Sequence, residues 1–305
     1  MKTIKIIIAA LSMGIIVASC KKEDALGSVD NIPGLGGDTW TPGAIDKWIF
    51  DTLTVPYNIA VKYKWDEGEL QNFFDKIVTP PKEEKVIPLL SAIKKAWINP
   101  YVTEAGLMFF KNVSPKFFYL VGSPIYVRGA IILGVAEGGR NVILSNVNEF
   151  RIKGMPGYTL SDAENVKQVF HTIHHEYAHI LDQSIKVPVE FSQSSASAYT
   201  SDWLNLSSED AKNEGFISQY SISAAVEDWA EMVSIMLVEG KDWFDQYVNS
   251  INYTGATANG TTAAIAQARL RQKEAVVISY FKQAWNINFR NLQLRSKAAI
   301  DALLF

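Results

Sequence analysis

All four histidines of the chain lie within residues 171–179, and His175-Glu176-Tyr177-Ala178-His179 has the form H-E-x-x-H. On a helix, residues four apart stack on one face, so His175 and His179 can turn imidazole nitrogens toward a single ion. Glu176 lies a third of a turn round, beside such an ion and not on it. A carboxylate there suits a general base acting on a metal-bound water.

The motif is short, so its flanks decide whether it is used. Ser161-Asp162-Ala163-Glu164 has the form of a capping box, and Val166, Val169, Phe170, Ile173, Tyr177, Ile180 and Leu181 recur at steps of three and four. This spacing predicts a helix whose apolar stripe lies opposite His175 and His179. His171, four residues before His175, reads as a cleft residue or an outer partner of a ligand. His174 falls near the edge of the apolar stripe and reads as a structural histidine with its hydrogen bonds satisfied.

A catalytic zinc takes three protein ligands and keeps one position open, so a third ligand must come from elsewhere. The run from Ser223 to Leu237 has no Gly or Pro and predicts a second helix, capped by Ser223, on which Glu227 and Glu231 share a face. One carboxylate can bind the ion while the other accepts the free N–H of a ligating histidine. Glu227 is the preferred ligand and Glu231 the outer partner. Asp228, about 100° round the helix, is a reserve.

The pairing of His175-Glu176-x-x-His179 with Glu227-Asp228-Trp229-Ala230-Glu231 resembles zincin metallopeptidases of the glutamate-ligand type. More narrowly, it is similar to the zinc-binding metallopeptidase lipoproteins of Bacteroidetes, known as substrate import-associated zinc metallohydrolases. The segments Val55–Trp65, Asn99-Pro100-Tyr101 and Leu120-Val121-Gly122-Ser123 look like recurring parts of that group, so the resemblance runs from about residue 45 onward. It implies an α+β zincin-like fold: a mixed N-terminal sheet, the H-E-x-x-H helix, a glutamate-bearing second helix and C-terminal helices. It further implies Zn²⁺ as cofactor, peptide-bond hydrolysis as activity, and partnership with a TonB-dependent outer-membrane transporter and its binding lipoprotein in nutrient import. The wider group, which includes anthrax lethal factor, carries a catalytic tyrosine shortly before the second helix. Tyr220 stands at that place, with Tyr199 as the fallback, for a phenol that hydrogen-bonds the oxyanion.

The N-terminus speaks to compartment. Lys2 and Lys5 precede an apolar run from Ile6 to Val17, then Val17-Ala18-Ser19-Cys20, the pattern of a bacterial lipoprotein signal. Residues 1–19 read as signal peptide, 20–44 as lipidated N-terminus and flexible tether, and 45–305 as the metallohydrolase domain. Cys20 is the only cysteine, which excludes disulfides within one chain and points to lipidation, and the resemblance implies that the anchor lies in the outer membrane. Loss of the leader removes Lys2 and Lys5 and takes the formal charge from −3 to −5. A mildly acidic chain without a long basic run lacks the footprint of nucleic-acid binding.

The body reads as alternating elements. Tyr57–Trp65 predicts a strand, and Glu67–Ile77 and Ile87–Ile98 predict helices on either side of Pro80-Pro81. Ala130–Val135 and Asn141–Asn146 predict a hairpin, one strand of which can offer its edge to an extended peptide. A polar loop, Asn249–Thr262, precedes helices over Thr262–Trp285 and Asn291–Leu304. The substrate expected is a peptide or a glycopeptide. The competing reading is a zinc-containing, non-catalytic binding component of an import complex.

Overall fold

The computed structural model describes residues 41–65, 78–127, 130–132, 134–137 and 141–305, and it is a mostly helical α+β structure with one four-stranded sheet and a separate two-stranded ribbon. In chain order, α1 (Ala44–Ile49) continues through a π-helical stretch (Phe50–Thr54) into α2 (Val55–Tyr57), and β1 (Ala60–Lys62) follows. Next come α3 (Glu83–Ile93), a second π-helical stretch (Lys94–Ile98), α4 (Asn99–Ala105) and α5 (Leu107–Val113). The strands β2 (Phe117–Leu120), β3 (Ile125–Val127), β4 (Ala130–Ile132), β5 (Gly134–Glu137) and β6 (Asn141–Leu144) lead to α6 (Asp162–Ser184). Two short helices, α7 (Glu190–Gln193) and α8 (Ser208–Asn213), precede the long α9 (Ala225–Asn249), α10 (Ala263–Trp285) and α11 (Phe289–Leu304).

The sheet runs β1-β2-β6-β5, with the first three strands parallel and β5 antiparallel to β6. Phe118, Leu120, Val142 and Leu144 face the main core, while Ile143 joins Val121 and Ile125 on the other side. Burial of both faces is what parallel strands require. Helix α6 packs against β5 and β6 with one flank and against α9 with another, so it is central to the fold. At Gly240, φ is 85°, a left-handed value that suits glycine, and there α9 kinks.

Several sequence expectations change here. Ile59 and Tyr63 are buried as the alternation over Tyr57–Trp65 requires, yet only Ala60–Lys62 is strand. Tyr57 closes a helix, and Asn58 ends it in the left-handed conformation at φ 60°. The buried Ile49 and Leu53, four apart, hold the preceding residues helical, and Pro56 sits where the first turn of α2 tolerates it. The expected strand Ala130–Val135 is two strands, since β4 pairs with β3 and β5 with β6. Strand β6 stops at Leu144, before Asn146 turns left-handed. The helix around Ile87–Ile98 begins earlier, at Glu83, and the one expected over Glu67–Ile77 lies outside the described residues. The C-terminal helices fall within a few residues of their expected bounds.

Helix starts also differ from expectation. Ser161 makes no capping bond; Asp162 instead accepts from the Thr159 backbone N–H at 2.7 Å and from Arg151 at 3.3 Å. Ser223 caps nothing either, because its hydroxyl is buried without a partner and α9 starts after Ala224, behind a 3₁₀ turn over Tyr220–Ser223.

Candidate metal centre

Two helices carry the centre, and buried polar contacts fix their relative register. The apolar face of α6 sinks Tyr177 into an aromatic cluster, with ring centroids 5.3 Å from Trp97 and 4.8 Å from Tyr101. Trp229 of α9 donates its indole N–H to the Ala178 carbonyl at 3.2 Å and packs edge-on against Tyr280. Tyr280 in turn donates to the carbonyls of Leu181 and Ile185 at 2.9 and 2.6 Å, tying α10 to the end of α6. Trp229 lies between Glu227 and Glu231 in sequence, so this bond fixes how far α9 slides along α6. Both carboxylates therefore face the histidines.

Three atoms form a tight triangle. His175 Nε2 and His179 Nε2 are 3.1 Å apart, and Glu227 Oε2 is 3.2 Å from the first and 3.3 Å from the second. Ligand bonds of about 2.0–2.1 Å in a tetrahedral zinc site separate donor atoms by roughly 3.3 Å, so the triangle has the size of one face of such a site. The chemistry agrees as well. Two imidazole nitrogens and one carboxylate oxygen are a zinc donor set, and two imidazole nitrogens at this distance repel unless a proton or a cation lies between them. The residues present thus fit a zinc ion.

The other ring nitrogen of His175 is also committed. Nδ1 lies 2.8 Å from Glu231 Oε1, and because a carboxylate only accepts, Nδ1 carries a proton in either charge state, so Nε2 is the nitrogen that would exchange its own proton for a ligand bond. His171 Nε2 donates to the same oxygen at 2.8 Å, and Ser218 Oγ donates to Oε2 at 2.6 Å. A second grouping, His171, His175 and Glu231, therefore exists, held together by these N–H bonds. Nothing in the residue spacing marked Ser218, which lies in a loop and meets Glu231 only through the tertiary fold.

Electrostatics follow from the same contacts. Burial opposes charge on His175, but its bonds to Glu227 and Glu231 outweigh that and lift its pKa to about 10. Burial likewise opposes charge on Glu227, yet His175 and His179 draw its carboxyl down to about 2. Glu231 is held below the usual carboxylate range by His171 and His175 despite its burial. No lysine or arginine pairs with Glu227 or Glu231 among the described residues, which leaves the cluster suited to a divalent cation.

Glu176 is half-buried on the turn next to His175, and its charge reaches both His175 and Tyr220. Tyr220 lies over His175, with ring centroids 6.0 Å apart and planes inclined by 24°. Burial and the nearby Glu227 carboxylate push its phenol pKa up, so it stays protonated as a donor.

The reserve candidates point elsewhere. Asp228 is fully buried and accepts from Lys273 Nζ and Tyr199 Oη, both at 2.7 Å, so neither Asp228 nor Tyr199 belongs to the metal-side cluster. Lys273 was not read from the sequence, since a lysine within a polar helix resembles a solvated one; here it is wholly buried, with Nζ 4.0 Å from the Phe216 ring centre. His174 is buried as expected of a structural residue, but neither ring nitrogen has a hydrogen-bond partner. Burial, with the neighbouring His171, lowers its pKa to about 3. Cys20 lies outside the described residues.

Comparison with known proteins gives a consistent picture. The family model described as "putative zinc-binding metallo-peptidase" matches residues 38–290. A crystal structure of a protein of that description from Bacteroides caccae aligns with a TM-score of 0.66 at 25% identity, over 85% of this chain and 92% of that one. No curated protein matches.

Proposed function

We propose, on the premise that the chain belongs to the zinc-binding metallo-peptidase family, that it is a zinc-dependent peptidase whose ion is held by His175 Nε2, His179 Nε2 and the Glu227 carboxylate. A zinc ion bound there supplies Lewis-acid polarisation of the attacking water and of the scissile carbonyl. Glu176 takes the proton of that water and returns it to the leaving amine. Tyr220 donates its phenolic hydrogen to the oxyanion, a role that a protonated hydroxyl beside the centre can fill. Glu231 holds His175 in the tautomer that frees Nε2, and Ser218 and His171 hold Glu231. No strand pairs with the outer edge of β5 among the described residues, and α6 packs against that strand. Its backbone can therefore pair with an extended peptide laid along the helix.

The observation that carries this reading is the triangle of His175, His179 and Glu227, with edges of 3.1, 3.2 and 3.3 Å. The test is Glu176→Ala. This variant keeps one zinc per chain, measured by elemental analysis, and loses peptide hydrolysis; unchanged turnover refutes Glu176 as the base. The proposal extends to the cell. Cys20 is the lipidation site that tethers the protein to the outer membrane, and a TonB-dependent transporter with its binding lipoprotein takes up the products.

A further inference from the structure

A cavity of about 400 Å³ opens between α8, the segment leading to Tyr220, and the kinked part of α9. Ser218 both lines it and donates to Glu231, so one residue is common to the cavity wall and the candidate metal centre. Beyond the kink at Gly240, Trp243 and Tyr247 both border the cavity, with rings nearly parallel at 16° and centroids 5.1 Å apart. Tyr247 is fixed by its hydroxyl, which donates to the Phe216 carbonyl at 2.8 Å.

The charges around this cavity are already compensated. Lys212 pairs with Glu209 at 3.5 Å and lies over the Tyr247 ring, and Glu239 pairs with Lys167 at 2.7 Å. A charged ligand would have to break one of these pairs or be desolvated without a partner of its own. A purely aliphatic side chain would cover Ile217 and Ile235 but would also strip water from the serines, the amide and the ion pairs of the lining. What matches a lining that combines Ile217, Ile235 and the Trp243–Tyr247 pair with neutralised polar groups is a neutral ring with an apolar C–H face and hydroxyl edges. The volume is within the range of small-molecule sites.

We infer that this cavity binds a sugar ring carried by the peptide substrate, close to the bond that is cut. The proposal rests on the peptidase reading for its link to catalysis but not for the binding itself. Saturation-transfer NMR on the zinc-loaded protein, with the methyl glycosides of glucose, galactose, mannose, N-acetylglucosamine and N-acetylgalactosamine, reads the cavity without turnover. Transfer to the ring protons of at least one glycoside is expected, lost in Trp243→Ala and weakened severalfold in Trp243→Phe. The Phe variant decides if the Ala variant fails to fold. No transfer from any of the five, or transfer indifferent to both substitutions, overturns the proposal.

Hydrolysis is then compared on one threonine-rich peptide with and without a single N-acetylgalactosamine. A kcat/KM at least tenfold higher for the glycosylated form, equalised by the Trp243 variants, supports the substrate assignment. Equal cleavage of both forms overturns it. If neither form is cleaved while the glycoside signals remain, the peptidase reading fails and the sugar site stands.

Discussion

His174 provides a quantitative test of how the H-E-x-x-H helix is buried. It sits directly before His175, with no exposed surface and with both ring nitrogens unpartnered, so the folded protein keeps it neutral down to about pH 3. In the unfolded chain a histidine titrates near 6.5. The folded pKa is thus depressed, the unfolded state binds the extra proton first, and stability present above about pH 6.5 is lost as the pH falls toward 3. Below that value both states are protonated and the loss levels off. At pH 5 the unfolded histidine is about 1.5 pH units past its midpoint, which at about 1.36 kcal/mol per unit costs about 2 kcal/mol. In His174→Phe this titration vanishes while ring packing against Tyr101, 5.8 Å away between centroids, is retained. Urea unfolding in the presence of a chelator, at pH 7.5 and pH 5, should show the variant gaining about 2 kcal/mol on the wild type between the two conditions. Stability curves that stay parallel across this interval would refute the burial of a neutral imidazole.

Two further substitutions probe the centre and its support. Glu231→Gln keeps the shape of the side chain but weakens its hold on His175 Nδ1–H and His171. Zinc affinity, read by competition with a chromophoric chelator, should fall roughly 10- to 100-fold, and an unchanged affinity would make Glu231 a bystander. Lys273→Met leaves the Asp228 carboxylate buried and unpaired, which should cost about 3–5 kcal/mol in denaturant unfolding, whereas the double variant Asp228→Leu, Lys273→Met should recover most of it. Additive losses in the double variant would show that the two charges do not support each other.

What could be read from the sequence divides by range. The i, i+4 relation of His175 and His179 is local, and so is the apolar period that buries Val166, Phe170, Ile173, Tyr177 and Leu181; a helix with these faces follows from residue order alone. The sharing of a face by Glu227 and Glu231 is local in the same sense. The alternation from Tyr57 to Trp65 was also local, yet it misled, because burial of Ile49 and Leu53 carried the preceding helix on to Tyr57 before the strand could begin. Helix capping by Ser161 and Ser223 failed for another reason. A hydroxyl's partner depends on the turn before the helix, and Asp162 and the Tyr220–Ser223 turn supplied different geometry there. Ser218 and Lys273 carry no periodic signal, since their importance arises only from partners distant in the chain.

The choice among the acidic residues of α9 shows how the long-range part is decided. Glu227, Asp228 and Glu231 offer the same functional group within five positions, and helical geometry alone sets only which of them share a face. Rotation and slide of α9 against α6 are set by uncharged contacts, the Trp229 indole on the Ala178 carbonyl and the packing of Trp229 with Tyr280. With that register fixed, Glu227 meets two imidazole nitrogens, Glu231 meets the rear of one of them, and Asp228 turns into the core toward Lys273. Each carboxylate is thus given its surroundings by a tryptophan whose own hydrogen bond goes to a backbone carbonyl. A one-residue slip between the helices would exchange the carboxylate that faces both imidazoles for a buried ion-pair partner, which is why the burial of Trp229 matters as much to the candidate centre as the H-E-x-x-H spacing does.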